Sequence, residues 1–186
     1  PLPPEIYKKW HAFLFELKHV ATITIPRAIP YSAATHWDLH GFSDASELGY
    51  AAVVYIRSTS NDTVHVSQVM AKTRVAPLKR VTLPRLELCA AHLLAQLVKY
   101  CVTQLAPTRK FGSIVCWCDS TVTLAWIKTP SYRLKTYVAN RVAQTQELVA
   151  VECWRYIPSA SNPADCASRG ILPSQLVNHP LWWHGP

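Results

Sequence analysis

Acidic residues are scarce in this sequence. Its 11 Asp and Glu face 19 Lys and Arg, which leaves a formal net charge of +8. Such a surplus favours a polyanionic partner, most often nucleic acid, although a basic surface that only keeps the protein soluble is the alternative. Charged residues are few overall, at 16 % against 49 % hydrophobic residues, and this balance excludes a disordered chain. At 186 residues, we expect one domain with a core and an appendage.

The six cysteines include no CxxC pair, and most of them lie within apolar runs. They are typical of reduced core residues in an intracellular protein, rather than of a disulfide framework or a zinc site. Cys116 and Cys118, on one face of a predicted strand, come nearest to a metal-binding pair. Structural zinc usually takes two such pairs, so we do not expect zinc here.

Long apolar runs and a signal peptide are also missing. No run reaches the roughly 18 residues that a membrane helix needs, so we expect no membrane partner. The single methionine is Met70 and the chain begins with Pro1. Both observations indicate a piece of a longer polypeptide.

The chain divides into three predicted regions. Residues 1–36 form a helix followed by an extended connector that proline interrupts twice, and residues 37–170 form the main domain. Residues 171–186 are a tail without a periodic pattern, whose Trp182 and Trp183 either pack back on the domain or bind a neighbour. Packing is the favoured alternative, because bulky aromatic side chains usually find cover. The apolar residues at helical spacing in the first region are Ile6, Trp10, Phe13, Leu14 and Leu17.

The main domain begins with three predicted strands, "WDLHGFSD", "GYAAVVYIRS" and "TVHVSQVMAKTRV". The connections between them are short, and Asn61 and Asp62 are good turn formers, so the three strands are expected to form antiparallel hairpins. The segment "LPRLELCAAHLLAQLVKYCVTQL" then carries an apolar stripe with helical spacing.

The second half of the domain alternates strands and helices. "SIVCWCD" and "VECWRYIP" are predicted strands, with two helices between them, and "NPADCASRG" is a short helix that ends at Gly170. Asn162 is its expected N-cap, and Asp165 its third residue. The order βββαβααβα predicts an α/β fold with a five-stranded mixed sheet, antiparallel and then parallel, flanked by helices.

The few acids are placed where strands and helices meet. Asp44 ends the first strand, Asp119 ends the fourth, and Asp165 starts the last helix, while Glu87 lies on the sheet-facing edge of the first long helix. Neighbouring carboxyl ends of strands form a crevice, where we expect the four carboxylates to converge. Hard oxygen ligands select Mg²⁺ or Mn²⁺, and two such ions serve in-line attack on a phosphodiester.

Each acid also has a simpler explanation. Asp44 could be a turn residue, Glu87 a solvated helix residue, and Asp119 the cap of the helix that follows. An accidental convergence of all four is the least favoured explanation.

The segments around these acids resemble the four acidic motifs of the retroelement ribonuclease H family, most of all the RNase H region of BEL/Pao-type LTR retrotransposon Pol polyproteins. The matching segments, in order, are "FSDAS", "LPRLELCAA", "VCWCDST" and "NPADCASRG". The helix and "ITIPR" before the domain resemble the connector that follows the reverse transcriptase in that family, and "LWWHGP" resembles its closing segment.

The resemblance implies an RNase H fold and an endoribonuclease that cleaves the RNA strand of RNA–DNA hybrids during reverse transcription. It implies two Mg²⁺ or Mn²⁺ ions, and it carries the catalytic and metal-binding roles onto Asp44, Glu87, Asp119 and Asp165. A reverse transcriptase domain, continuous with the chain or docked to it, is the expected partner. The expected location is the cytoplasm, within a virus-like particle, with the nucleus as a second compartment.

One departure concerns the loop before Asp165. Many RNases H carry a histidine there, whereas this sequence has "PSASNP". Five residues near the acidic motifs are candidates for contacts with nucleic acid, although a solvated basic rim and local turn or cap roles are the alternatives. They are Ser46, Lys72, Arg74, Arg85 and Ser120.

Two rival functions remain. A DDE transposase or integrase would need a final glutamate on a helix, and Glu152 has a suitable spacing from Asp119 but lies in a predicted strand. A catalytically inactive RNase H-like module that binds nucleic acid or braces a polymerase is the other, and the presence of all four acids argues against it.

Overall fold

The structure, a computed structural model, describes residues 3–26, 36–60, 63–108 and 110–186. The α-helices and strands, in chain order, are α1 (Pro4–Glu16), β1 (His36–Ala45), β2 (Gly49–Ser60), β3 (Thr63–Val75), α2 (Leu83–Leu105), β4 (Ser113–Cys118), α3 (Thr121–Lys128), α4 (Thr136–Leu148), β5 (Trp154–Tyr156), α5 (Ala164–Arg169), α6 (Pro173–Val177) and α7 (Pro180–His184). Short 3₁₀ helices occupy Leu17–Thr22, Ser131–Arg133, Val151–Cys153 and Ser159–Ser161.

The five strands form one mixed sheet in the order β3-β2-β1-β4-β5. β1 pairs antiparallel with β2, and β2 with β3, whereas β1 with β4 and β4 with β5 are parallel. This arrangement confirms the predicted fold class. Because Ser43 pairs with Cys118 across the parallel β1–β4 ladder, the residues that follow these two positions lie side by side at one edge of the sheet.

The long helix α2 covers one face of the sheet and forms most of the core. Leu88, Leu94 and Val98 are almost completely buried, and they pack with Leu39 of β1 in the main apolar cluster. Gly41 lets α2 approach closely, since a Cβ atom at this position would overlap Leu94 Cδ1. By length and composition α2 could cross a membrane, but 61 % of its most apolar window is buried inside the protein, as expected for a core helix.

The opposite face of the sheet is covered by α5 and the C-terminal tail. Phe42 and Tyr55 form a second apolar cluster there with Trp182, and the Tyr55 hydroxyl donates a 2.6 Å hydrogen bond to the Trp182 carbonyl. Trp183 Nε1 donates to the Leu176 carbonyl at 2.7 Å. The tail therefore packs back on the domain, which confirms the favoured alternative, and it does so through the two short helices α6 and α7.

Several predicted boundaries differ from the structure. The strand predicted over residues 151–158 is only Trp154–Tyr156, because Val151–Cys153 forms a 3₁₀ turn. Helix α5 begins at Ala164, so Asp165 is its second residue rather than its third, and Gly170 ends it with a φ of 78° as predicted. The turn at Asn61 and Asp62 lies outside the described residues.

The predicted N-terminal helix is present as α1, and no side chain in it is buried. The 3₁₀ helix Leu17–Thr22 that follows packs on α6, and Ser174 N donates to Glu16 Oε2 at 3.2 Å. Most of the predicted extended connector, residues 27–35, lies outside the described residues. Residues 1–36, 37–170 and 171–186 stay a predicted division of the chain.

Candidate active site

Asp44 lies near the C-terminal end of β1, on the sheet face that α5 covers, and only 5 % of its surface is exposed. The Ser168 hydroxyl of α5 donates a hydrogen bond to its Oδ2. Burial, together with the charges of Asp119 and Asp165, raises the pKa of Asp44 to about 6 against the opposing effect of the Ser168 hydroxyl. Asp44 is thus a carboxyl group placed among other carboxylates.

Asp119 follows the last residue of β4, immediately beside the end of β1. It is half-buried, and its Oδ2 accepts a 2.6 Å hydrogen bond from the Ser159 hydroxyl. Ser159 belongs to the 3₁₀ turn Ser159–Ser161, in the loop before Asp165 that contains no histidine. A hydroxyl group, rather than an imidazole, therefore contacts the acid from this loop.

Glu87 comes from the second turn of α2, where its side chain turns toward the start of α3. The Ser120 hydroxyl donates a 2.5 Å hydrogen bond to Glu87 Oε2 and also accepts one from Thr123 N at 3.1 Å. Ser120 is therefore both the N-cap of α3 and a partner of Glu87. Burial raises the pKa of Glu87, the Ser120 hydroxyl opposes this, and the charge of Asp119 adds to it.

Asp165 lies in the first turn of α5, and its Oδ1 is 2.8 Å from Arg169 Nη2. That oxygen is buried and has no partner in hydrogen-bonding geometry. The loop before it is held by Asn162, which is 1 % exposed. Asn162 Nδ2 donates to the Ser43 carbonyl at 3.0 Å, and Asn162 Oδ1 accepts from Ala164 N at 3.1 Å. These two hydrogen bonds of Asn162 hold the start of α5 against β1, directly beside Asp44.

The four predicted acids form one chain of charge interactions, from Asp165 through Asp44 and Asp119 to Glu87. The donor atoms are all carboxylate oxygens, which suits Mg²⁺ or Mn²⁺ in chemical type. Within the described residues, no three His, Cys, Asp or Glu side chains lie close enough together to hold a metal ion. Binding an ion would therefore require these carboxylates to approach one another more closely than they do here.

Three serines form hydrogen bonds to the acids that the sequence did not predict. Ser159 and Ser168 were not singled out, and Ser120 was expected either to contact nucleic acid or to have a local turn or cap role. It caps α3, and its bond to Glu87 was not foreseen. Their partners lie 40, 124 and 33 residues away in sequence, so no local pattern could have revealed the contacts. The only local signal was that Ser120 stands at the start of the helix after Asp119, where an N-cap residue lies.

The candidate nucleic-acid contacts divide into two kinds. Ser46 accepts hydrogen bonds from Leu48 N and Gly49 N, and its hydroxyl donates to the Ser168 carbonyl at 2.6 Å. Ser46 and Ser120 are therefore engaged within the protein. The three cations are exposed, Lys72 and Arg74 on the edge strand β3 and Arg85 at the start of α2. Their role in binding stays a prediction.

Comparison with known protein families gives one match, over residues 1–120, to the family described as the Pao retrotransposon-like RNaseH-like domain. This chain belongs to that family. The match includes Asp44, Glu87 and Asp119 and confirms the resemblance seen in the motifs. No curated protein sequence matches the chain significantly.

Among solved structures, RNase H1 from Halobacterium salinarum is similar at 16 % identity and a TM-score of 0.39, over 71 % of this chain and 92 % of that one. LC11-RNase H1, isolated from compost and solved in complex with an RNA/DNA hybrid, is similar at 11 % identity and a TM-score of 0.41. That match covers 75 % of this chain and 99 % of the other. The N-terminal RNase H domain of a Mycobacterium tuberculosis protein is similar at 13 % identity and a TM-score of 0.41, over 72 % of this chain and 96 % of that one.

Proposed function

We propose that this domain is an endoribonuclease that hydrolyses the RNA strand of RNA–DNA hybrids during retroelement reverse transcription. The observation that carries the proposal is that the parallel strands β1 and β4 end side by side at Asp44 and Asp119. Hydrogen bonds join α5, which carries Asp165, to Asp44 and join Glu87 to Ser120, the residue after Asp119. Four acids collected from four separate elements in a basic protein would repel one another, and this arrangement is costly unless cations offset it.

Asp44, Glu87, Asp119 and Asp165 would hold two Mg²⁺ or Mn²⁺ ions. Such ions, when bound, supply an activated water nucleophile and neutralise charge on the leaving oxygen. The chain's own part is to hold the acids in place, and Ser168, Ser120 and Ser159 do this for Asp44, Glu87 and Asp119 respectively. Asp165 Oδ1 is ion-paired with Arg169 at 2.8 Å, so a bound ion would share this oxygen with the arginine or displace it.

Binding of the hybrid would rest on the positive charge of the domain, because contacts with phosphates supply most of the affinity for nucleic acids. Lys72 and Arg74 are exposed on β3 and Arg85 at the start of α2, and all three are proposed to contact the backbone of the hybrid. Such contacts would position the duplex without reading its sequence, as a non-selective hybrid nuclease requires.

We further propose that a reverse transcriptase domain is the partner of α1. Two of the exposed apolar side chains of α1 are Trp10, with 51 % of its surface exposed, and Phe15, with 65 %. Apolar side chains exposed in such number along one helix favour a protein partner. The location proposed for the assembly is a cytoplasmic virus-like particle, with the nucleus as a second compartment.

The test is cleavage of an end-labelled RNA–DNA hybrid by the purified chain with Mg²⁺ or Mn²⁺. We expect the RNA strand to be cut, and Asp44→Asn and Asp119→Asn to reduce the rate at least about 100-fold, since each would remove a metal ligand. RNA duplex, DNA duplex and single-stranded DNA should stay intact. Absence of cleavage with both ions, or full activity in both variants, would refute the nuclease and favour the inactive binding or bracing module.

The transposase alternative is disfavoured by the position of Glu152. This residue precedes β5, whereas Asp119 follows β4, and the two strands run parallel with Cys116 opposite Trp154. Glu152 and Asp119 thus lie at opposite ends of the strands, separated by about five residues at roughly 3.3 Å each. One cation could not bind both.

A further inference from the structure

A cavity of about 470 Å³ opens on the face of the sheet that carries α5 and the tail. We call it the aromatic cavity and define its floor by His40 and Phe42 of β1, Tyr55 and Arg57 of β2, and Trp117 of β4. None of the four acids of the candidate active site is among the described residues that line it. Its volume lies in the range of cavities that hold small organic molecules.

The floor of the aromatic cavity is a row of rings with Trp117 at its centre. The Trp117 ring centroid lies 6.3 Å from that of His40 and 6.3 Å from that of Phe42, and the ring planes differ by only 11° and 15°. The Tyr55 ring meets Phe42 edge-on, with 5.6 Å between the centroids. Rings in such arrangements offer flat apolar surface to a further aromatic group. The floor therefore favours a planar aromatic molecule over a branched aliphatic one.

His40 gives this apolar floor one oriented hydrogen-bond donor. Trp117 Nε1 donates to His40 Nδ1 at 3.2 Å, so the proton of the neutral imidazole is on Nε2. Burial lowers the pKa of His40, and the charge of Arg57 adds to this against the opposing charge of Asp38, so the ring is neutral at pH 7. Among the described residues, His40 Nε2 has no hydrogen-bond partner.

The charge of Arg57 is already balanced within the protein. Arg57 Nη1 lies 3.4 Å from Asp38 Oδ2 and donates to Thr59 Oγ1 at 3.2 Å. Asp38 is only 6 % exposed, and its second oxygen accepts from the Ser113 hydroxyl at 2.7 Å. An anionic ligand would have to compete with this buried carboxylate for the guanidinium. The aromatic cavity therefore favours a neutral ligand over a phosphate or a carboxylate.

The walls of the aromatic cavity are held in place by contacts that do not involve a ligand. The Tyr55 hydroxyl donates to the Trp182 carbonyl at 2.6 Å and fixes α7 on one side. On the other side, Pro158 and Ser161 line the cavity, and Ser161 N donates to the Pro158 carbonyl at 2.9 Å within the turn before α5. A cavity built in advance loses little conformational freedom when it binds a molecule.

We propose that the aromatic cavity binds a neutral, planar heteroaromatic molecule, which packs against Trp117 and accepts a hydrogen bond from His40 Nε2. A ring nitrogen or a ring carbonyl would supply the acceptor that this half-buried donor lacks. The proposal concerns a site separate from the acids and does not rest on the proposed nuclease activity.

The experiment follows the tryptophan side-chain signals of the ¹⁵N-labelled chain by NMR while a probe is added at pH 7.5 in EDTA. The probes are quinoline, which has a ring nitrogen acceptor, and naphthalene, which has the same shape without it. Quinoline should shift the Trp117 indole signal in a saturable way. Trp117→Phe identifies this signal among those of the seven tryptophans.

A matched pair of variants tests the hydrogen bond. His40→Phe keeps a ring in the floor but removes the N–H, so it should weaken quinoline binding about three- to tenfold and naphthalene binding less than about twofold. The control is His11→Phe, at an exposed position on α1, which should leave both affinities unchanged. Thermal unfolding of each variant should show an unchanged fold.

Two results would overturn the proposal. One is the absence of a saturable shift of the Trp117 signal with quinoline, and the other is an equal loss of quinoline and naphthalene affinity in His40→Phe, or no loss of either. The wild-type chain provides a second measurement that needs no variant. The ¹⁵N signal of His40 Nε2 should move on addition of quinoline but not of naphthalene, and equal responses to both probes would contradict the hydrogen bond.

Discussion

The Ser168 hydroxyl donates a hydrogen bond to Asp44 Oδ2 and so joins α5 to the end of β1. The carbonyl of Ser168 accepts a second bond at 2.6 Å, from the Ser46 hydroxyl in the turn after β1. Ser168 is therefore held by the buried acid itself and by Ser46, two residues after it. The position and proton affinity of Asp44 depend on the docking of a six-residue helix.

Replacement of this serine should change the ionisation of Asp44. Ser168→Ala removes the donor that opposes the effect of burial, so the pKa of Asp44 should rise above about 6. The acidic limb of the pH–rate profile for hybrid cleavage should move to higher pH, and stability should fall by about 1–3 kcal/mol. Ser67→Ala, on the edge strand β3, is the control and should leave the pH–rate profile and the stability unchanged.

The raised pKa of Asp44 also predicts a pH dependence of stability without metal. The carboxyl binds a proton more tightly in the folded state, with a pKa of about 6, than in the unfolded chain, where it is about 4. Its favourable contribution is therefore complete below pH 4 and lost as the pH rises through 6. Asp44→Asn should avoid this loss. From pH 4 to pH 7.5, its free energy of unfolding should therefore gain up to about 3 kcal/mol relative to that of wild type.

Urea unfolding in EDTA at the two pH values measures this difference. Glu147→Gln, an exposed position on α4, should show no such gain between them. Equal pH dependence in the wild-type and Asp44→Asn proteins would contradict the burial of an ionised Asp44.

Divalent ions should stabilise the wild-type chain. An ion that binds only the folded state raises its stability by mass action, and it would relieve the repulsion between Asp44 and Asp119. Millimolar Mg²⁺ or Mn²⁺ should raise the melting temperature, and Asp44→Asn and Asp119→Asn should reduce this shift. Differential scanning calorimetry measures these shifts, with Na⁺ at equal ionic strength as the control. Equal shifts in all three proteins would rule out a metal site at these acids.

The sequence contained the signals for the main elements because their periodicities extend over many residues. The apolar stripe of α2 runs through 23 residues, whereas α6 and α7 have five each, too few to show a helical repeat. The strand β5 was predicted too long, since the alternation of Val151 and Cys153 with polar residues continues into it.

The candidate site was predictable only in part. Asp44 and Asp119 could be paired in advance because parallel neighbouring strands end together. The serine hydroxyls that donate to the acids could not be predicted, because a serine carries no periodic signal and its partner is set by tertiary packing. Ser159 and Asp119 are brought together only by the pairing of β4 with β5 and by the turn that follows.

Ser159 should assist cleavage without contributing much to stability. Its exposed hydroxyl fixes one rotamer of Asp119 through a 2.6 Å hydrogen bond. Ser159→Ala should lower kcat for hybrid cleavage several-fold and change stability by less than about 0.5 kcal/mol. Ser161→Ala, in the same turn, should retain wild-type kcat, and equal rates for all three proteins would exclude a role for Ser159 in positioning Asp119.

Asn162 should be the most sensitive polar residue around the site. Asn162→Ala would leave the Ser43 carbonyl and Ala164 N–H without partners in a buried location, at a cost of about 2–4 kcal/mol. Asn162→Asp keeps the acceptor for Ala164 N but loses the donor to Ser43, and it brings a fifth carboxylate near Asp44. We therefore expect the aspartate variant to recover stability only when the pH is lowered.

Chemical unfolding monitored by tryptophan fluorescence measures these costs. Asn140→Ala, exposed on α4, is the matched control and should stay within about 0.5 kcal/mol of wild type. If Asn162→Ala were as mild as this control, packing and the hydrogen bonds of Ser168 would suffice to hold α5 on β1. The Asp44–Ser168 bond would then not depend on the asparagine, and Asn162→Ala should cleave hybrid at the wild-type rate.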